Sequence, residues 1–222
     1  MTSIVFDMDD TLYKERTYRD SGYRTVARHF AASCGKTAEE LYAIMTADPA
    51  TAFETVSELA AARGIEVNVQ QQLNVYRSHL PDIVIDNQAR QLLEALVSRG
   101  TPIGLITDGR AWGQLNKISA LGLERYFDPE LIMATVLDGT DKHSPEPFDR
   151  MERLLRKRGA DRLVYVGDNP SKDFLHPNLR GWRTVMLRDG AGLNIHPQRL
   201  SEWPPENRPQ TVVESLEEVL KL

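Results

Sequence analysis

Two aspartates spaced two residues apart, Asp7 and Asp9, close a short apolar run in VFDMDDTLY, residues 5–13. In an extended chain such residues face one side, so both carboxylates can enter one site while Met8 faces elsewhere. Carboxylates held that close repel one another, and a hard, oxygen-seeking divalent cation relieves the repulsion, with Mg²⁺ the first candidate. Asp10 beside them fits either a loop support or a solvent-facing acid. A second acid pair, Asp168 and Asp173, stands in VYVGDNPSKDF, residues 164–174. There Gly167 permits a tight bend and Asp168 can reach the same cation. Taken singly, either pair fits a turn or a helix N-cap equally well.

Thr107 ends a further apolar run in LITDGR. Its hydroxyl and the backbone N–H groups of Asp108 and Gly109 can hold phosphoryl oxygens, and Arg110 is placed for a second anionic contact. Thr before Asp-Gly is also an ordinary turn. Lys142 in TDKHSPEPF can neutralise a phosphate together with a nucleophilic carboxylate, or stand as a solvated surface lysine. Tyr13, Arg16, Tyr18 and Arg19 suit the reading of a polar leaving group, or a solvated helix face with two core tyrosines. Trp112 fits stacking on a sugar or base, or packing a helix N-terminus.

These residues need strand ends to hold them. Apolar, β-rich runs at 3–7, 101–107, 131–135, 163–168 and 182–187 read as strands. Between them, residues 88–98, 112–121 and 146–158 carry apolar side chains at helical spacing, and Gly100 and Gly159 stop the first and third. Residues 211–221 read as a last helix, with Thr211 and Glu214 as a capping box. Strands alternating with helices predict an α/β fold, a Rossmann-like, mostly parallel sheet covered by helices on both faces. The stretch 14–86 breaks the rhythm with helical segments near 17–33, 37–46, 50–63 and 68–79. It predicts a helical-bundle cap inserted into a core made of 1–13 and 87–222. Ligands of open α/β sheets bind beyond the carboxyl ends of the strands, the edge from which this insert departs. Residues 189–209, rich in Gly, Pro and Asn, read as a surface loop packed through Trp203.

In this order the motifs resemble those of the haloacid dehalogenase-like (HAD) hydrolases, a superfamily dominated by phosphatases. Asp7, Asp9 and Thr11 match its Asp-x-Asp-x-Thr, Thr107 its strand-end hydroxyl, Lys142 with Pro145 and Phe148 its loop lysine, and Gly167, Asp168 and Asp173 its second acid element. The similarity runs from residue 3 to about 188, and 14–86 falls where the family places a four-helix C1 cap. His143-Ser144 departs from the Pro-Asp that many members carry after the lysine.

The resemblance implies that Asp7 is a nucleophile forming an aspartyl phosphate, Asp9 a general acid and base, and Thr107 and Lys142 partners of the phosphoryl group. It implies Mg²⁺ held by Asp7, the Asp9 carbonyl and Asp168, with Asp173 orienting a metal-bound water or Lys142. Family dehalogenases lack an acid at the Asp9 position, because a halide leaves without a proton. Phosphatase action on a small phosphorylated metabolite, a sugar phosphate or nucleotide among the options, is therefore expected. A phosphotransferase or mutase, and a non-catalytic phosphate-binding protein, are the alternatives. A receiver-like domain also gathers acids around Mg²⁺, but it has no large helical insert after its first strand.

Composition is consistent with this. The 222 residues carry 27 basic and 32 acidic side chains, a net charge of −5, with no bulk reason to bind nucleic acid polymers or an anionic membrane. The single Cys34 cannot form an internal disulfide and reads as core packing. No basic-then-apolar leader and no apolar run approaching about 20 residues is seen, so a cytoplasmic location is expected.

Overall fold

The computed structural model describes residues 1–221. The chain divides into two compact units, one made of Met1–Glu15 and the chain from Val84 onward, the other of Arg16–Ile83. The first unit holds β1 (Thr2–Phe6), α5 (Asn87–Ser98), β2 (Ile103–Thr107), α6 (Ala111–Ala120), β3 (Ile132–Ala134), α7 (Glu146–Lys157), β4 (Arg162–Gly167), α8 (Leu175–Leu179), β5 (Arg183–Leu187) and β6 (Thr211–Val213). The second holds nearly all of α1 (Glu15–Cys34), then α2 (Ala38–Ala47), α3 (Ala52–Ala61) and α4 (Val69–Ser78).

The six strands form one parallel sheet in the order β3-β2-β1-β4-β5-β6. Both faces of its central strands are buried. Val5 pairs with Tyr165 on one face and Phe6 with Val166 on the other, and all four are fully shielded. On the first face Val5, Ile106 and Tyr165 pack with Phe148, Met151 and Leu155 of α7. α5 buries Ala89, Leu92, Leu93 and Leu96, the stripe expected of an amphipathic helix. A parallel sheet needs cover of this kind, because its strands are apolar on both sides. The chain runs outward from β1 in one direction through β2 and β3, then crosses to β4 on the other side. This places β1 at the topological switch point, where the carboxyl ends of β1, β2 and β4 lie side by side.

The helical unit has its own core, in which Val26, Phe30, Leu41, Met45 and Val56 pack together. Thr37 with Glu40 caps α2 and Asn68 with Gln71 caps α4 in reciprocal capping boxes, each cap worth about 1 kcal/mol. Cys34 is buried here and its thiol lies 3.5 Å from the Val56 carbonyl. Tyr18 packs on Tyr76 and His79 within this unit, and Arg19 pairs with Asp20 at 2.9 Å.

The expected helix over 211–221 is a correction. Thr211–Val213 is an edge strand in register with Val185–Leu187, and only Leu216–Lys221 turns, as a 3-10 helix. A β-branched Thr-Val-Val beside an open sheet edge gains a ladder of hydrogen bonds that a helix N-terminus cannot match. The capping box is absent too, since Glu218 rather than Thr211 accepts the backbone N–H groups of Glu214 and Ser215. No helix among the described residues is long and apolar enough to cross a membrane.

Candidate active site

Three strand ends converge. Asp7 follows β1, Thr107 ends β2, and Asp168 follows β4 with Asp173 a turn later. Asp7, Asp168 and Asp173 are buried, and each offers a carboxylate oxygen within 4.8 Å of the others. Lys142, wholly buried, binds two of them. Its Nζ donates to Asp7 and, at 2.8 Å, to Asp173. Fully ionised, three carboxylates and one ammonium carry a formal charge of −2. This all-oxygen, doubly negative donor set suits a hard divalent cation such as Mg²⁺.

The electrostatics follow from burial. Desolvation pushes the Asp7 carboxyl up to about 7, with the Lys142 charge pulling against it. Burial also raises Asp168 well above the usual carboxylate range, and Asp173 and Asp7 add to it. Asp173 stays below that range because Lys142 and Lys172 outweigh its desolvation. Its other oxygen accepts the backbone N–H groups of Asp168 at 3.1 Å and Asn169 at 2.8 Å. Desolvation works to discharge Lys142, and Asp173 and Asp7 overcome it, holding the ammonium charged. Gly167 serves a purpose beyond bending: a Cβ there would lie 2.5 Å from an Asp173 oxygen, so only glycine lets that carboxylate in.

Asp9 points elsewhere. Its Oδ1 accepts from Lys117 Nζ at 2.7 Å and from the Tyr13 hydroxyl, and its Oδ2 lies 3.4 Å from Gln114 Nε2. Burial alone would raise its pKa, but Lys117 and Tyr13 hold it below the usual range. The Asp9 carboxylate is therefore not part of the three-acid cluster, and only its main chain is left for a cation there. Asp10 supports the loop: in a left-handed conformation, φ 56°, it accepts the backbone N–H of Glu15 at 2.9 Å and of Ile195 at 3.0 Å.

The Asp108 carboxylate accepts the backbone N–H of Lys142 at 3.1 Å and the Thr135 hydroxyl at 2.6 Å. It ties the lysine loop to the end of β2. At Gly109, φ +147°, a Cβ would collide with Gln114 Nε2 at 2.0 Å. Arg110 and Trp112 are exposed at the start of α6. The loop around His143 and Ser144 is held by Asp141, which accepts the His143 N–H at 2.9 Å, and by His176, which donates to the His143 carbonyl at 2.8 Å.

Four supporting residues escape the sequence reading. Lys117 and Gln114 are polar side chains on the buried stripe of α6, beside Ile118, and that misplacement is the signal for them. Asn194 donates to Asp168 at 2.9 Å and accepts from Lys14 at 2.7 Å. Gln198 donates to the Asp168 carbonyl at 2.9 Å. The 189–209 segment is thus clamped onto the acid cluster by Asn194 and Gln198, while Trp203 is only half-buried. A cavity of about 230 Å³ opens beside Thr11, Tyr13, Lys14 and Arg188, but Asp7, Asp9, Thr107, Lys142, Asp168 and Asp173 do not line it.

The model of the haloacid dehalogenase-like hydrolase family matches residues 4–186. The chain belongs to that family. A glyceraldehyde 3-phosphate phosphatase of Methanopyrus kandleri is 25% identical, over 99% of this chain and 98% of its own. A phosphoserine phosphatase of Thermus thermophilus is 31% identical over 60% of this chain and 48% of its own. Among solved structures, the HAD-hydrolase YfnB of Bacillus subtilis, determined bound to magnesium, shares the fold. Its TM-score is 0.62 and its identity 18%, over 99% of this chain and 97% of that one.

Proposed function

We propose that this HAD hydrolase is a Mg²⁺-dependent phosphomonoester phosphatase that works through an aspartyl phosphate on Asp7. The observation that carries the reading is the pair of carboxylates at the end of β1 with divided duties. Asp7 lies in the lysine-bound acid cluster and Asp9 in a separate hydrogen-bonded niche. An ester oxygen leaving from phosphorus needs a proton, and Asp9 is the half-buried acid two residues from the nucleophile that can supply it. The phosphatase relatives act, by their names, on small phosphate esters.

In the first half-reaction an Asp7 oxygen bonds phosphorus, the ester P–O bond breaks, and Asp9 gives its proton to the departing oxygen. The arriving phosphate dianion works against the charge of Asp9 and so favours that proton. In the second half water bonds phosphorus, the Asp7–phosphorus bond breaks, and the water proton passes to Asp9. Lys142 keeps the carboxylate and phosphate from repelling one another. Thr107 and the N–H groups of Asp108 and Gly109 hold equatorial oxygens, and Arg110 supplies a second anionic contact. Asp7, Asp168 and the Asp9 main chain would hold Mg²⁺, with Asp173 as their neighbour in the cluster, and the ion would supply charge neutralisation for the phosphoryl group. The helical unit is proposed as the cap, and the substrate as a small phosphorylated metabolite.

The test is phosphate release from a panel of phosphomonoesters headed by glyceraldehyde 3-phosphate and phosphoserine, with Mg²⁺ and with excess EDTA. Release that depends on Mg²⁺ is the expected result. Folded protein that releases none from any ester would replace the reading with phosphoryl transfer to a second hydroxyl or with non-catalytic phosphate binding.

Mg²⁺ binding should also depend on pH. Because the Asp7 carboxyl is raised to about 7, a cation binding below that pH must displace its proton. The dissociation constant is expected to weaken as pH falls below about 7, because Asp7 and the likewise raised Asp168 must give up their protons to the cation. Calorimetric titration across that range checks this, and a constant affinity would remove Asp7 from the ligand set.

A further inference from the structure

We propose that Lys117 is the positioning residue of the acid–base step, with Gln114 as its strut. Lys117 holds the Asp9 carboxylate so that Oδ2 is the oxygen offered to the leaving group and then to water. The inference rests on the phosphatase reading above.

Lys117 and Gln114 sit three residues apart on α6 and so share one face. Lys117 is almost completely buried, and a buried ammonium is costly unless it is paired. Its partners include Asp9 Oδ1 at 2.7 Å and Glu15 Oε1 at 3.6 Å. Tyr13 donates to the same Asp9 oxygen, so Oδ1 receives two donors and is committed.

Oδ2 is different. Its partner is Gln114 Nε2 at 3.4 Å, the outer limit of a hydrogen bond, and that nitrogen already makes a 2.7 Å bond to the Asp108 carbonyl. Oδ2 is thus the Asp9 oxygen still available for a proton. Gln114 Oε1 accepts from the Thr107 hydroxyl at 3.2 Å. One amide is therefore anchored at the end of β2 by Asp108 and Thr107 and reaches toward Asp9, lying beside the oxygen that Lys117 leaves exposed. Both proton movements, Asp9 to the ester oxygen and water to Asp9, pass through that one aimed oxygen. Such aim is worth on the order of 100-fold in rate.

The experiment uses p-nitrophenyl phosphate, whose phenolate leaves without a proton, so the first half-reaction proceeds without the acid while the second still needs the base. Lys117→Met and Lys117→Gln are compared with wild type by steady-state kinetics, rapid mixing and acid quench. In the variants kcat is expected to fall on the order of 100-fold, with KM unchanged or lower and Mg²⁺ affinity preserved. A burst of close to one p-nitrophenolate per enzyme should precede slow turnover, with phosphate trapped on Asp7. Three results would overturn the proposal. These are kcat within about threefold of wild type, a burst amplitude that falls in step with kcat as for partly unfolded enzyme, and failure of both variants to fold. An Asp7→Asn protein that still turns over p-nitrophenyl phosphate would instead overturn the phosphatase mechanism itself.

Discussion

Asp7→Asn is expected to abolish turnover while leaving the fold in place. The substitution removes the nucleophilic charge and changes little in volume. It also lowers the negative charge of a cluster whose formal charge, fully ionised, is −2, so it relieves repulsion rather than creating it. Loss of an activated nucleophile typically costs on the order of 10⁴-fold or more in kcat. Phosphate release by the purified variant, measured beside its circular dichroism spectrum, checks this. A folded Asp7→Asn protein with near-wild-type rate would move the nucleophile elsewhere.

Lys142→Met should cost both activity and stability. Lys142 is fully buried and bridges Asp7 and Asp173, so its loss leaves two carboxylates facing each other without a counter-charge. Removing one member of a buried ion pair costs about 3–5 kcal/mol, a large share of a typical stability of roughly 5–15 kcal/mol. At about 2–4 °C per kcal/mol for a chain of this size, the EDTA-treated variant should melt roughly 6–20 °C below wild type. Mg²⁺ should recover part of that loss, because a cation in the cluster answers the same charge. Lys142→Met together with Asp173→Asn should cost less than the sum of the two, since they share one ion pair. An unchanged melting point in EDTA would mean that the ammonium does not carry the cluster.

Five of the six strands were legible because each is a β-rich apolar run bounded by polar turns. The sixth was not. In 211–221 Val212, Val213, Leu216 and Val219 repeat at near-helical spacing, yet Thr211–Val213 pairs with β5. Local periodicity cannot report that a neighbouring strand has an open edge. Asp108 illustrates the same limit at the site. Its position beside Thr107 is plain in the sequence, but the work of its carboxylate, holding the Lys142 main chain at 3.1 Å, depends on a loop 34 residues away.

Reading along the chain is enough to mark which side chains are equipped for chemistry. Asp7, Asp9, Thr107, Lys142, Asp168 and Asp173 are polar groups set at or just beyond the ends of apolar strands or in the loops that follow, and that contrast is local. Their pairing is not local. Lys142 meets Asp7 across 135 residues and Lys117 meets Asp9 across 108. Asn194, in a segment without periodicity, reaches Asp168. These contacts follow from the order β3-β2-β1-β4-β5-β6, which stacks the motif-bearing strand ends side by side and turns the inner stripe of α6 toward Asp9. Burial then assigns the charges. Two aspartates of the same sequence motif part company, Asp7 raised to about 7 by desolvation and Asp9 lowered by its lysine, because folding gives them different neighbours.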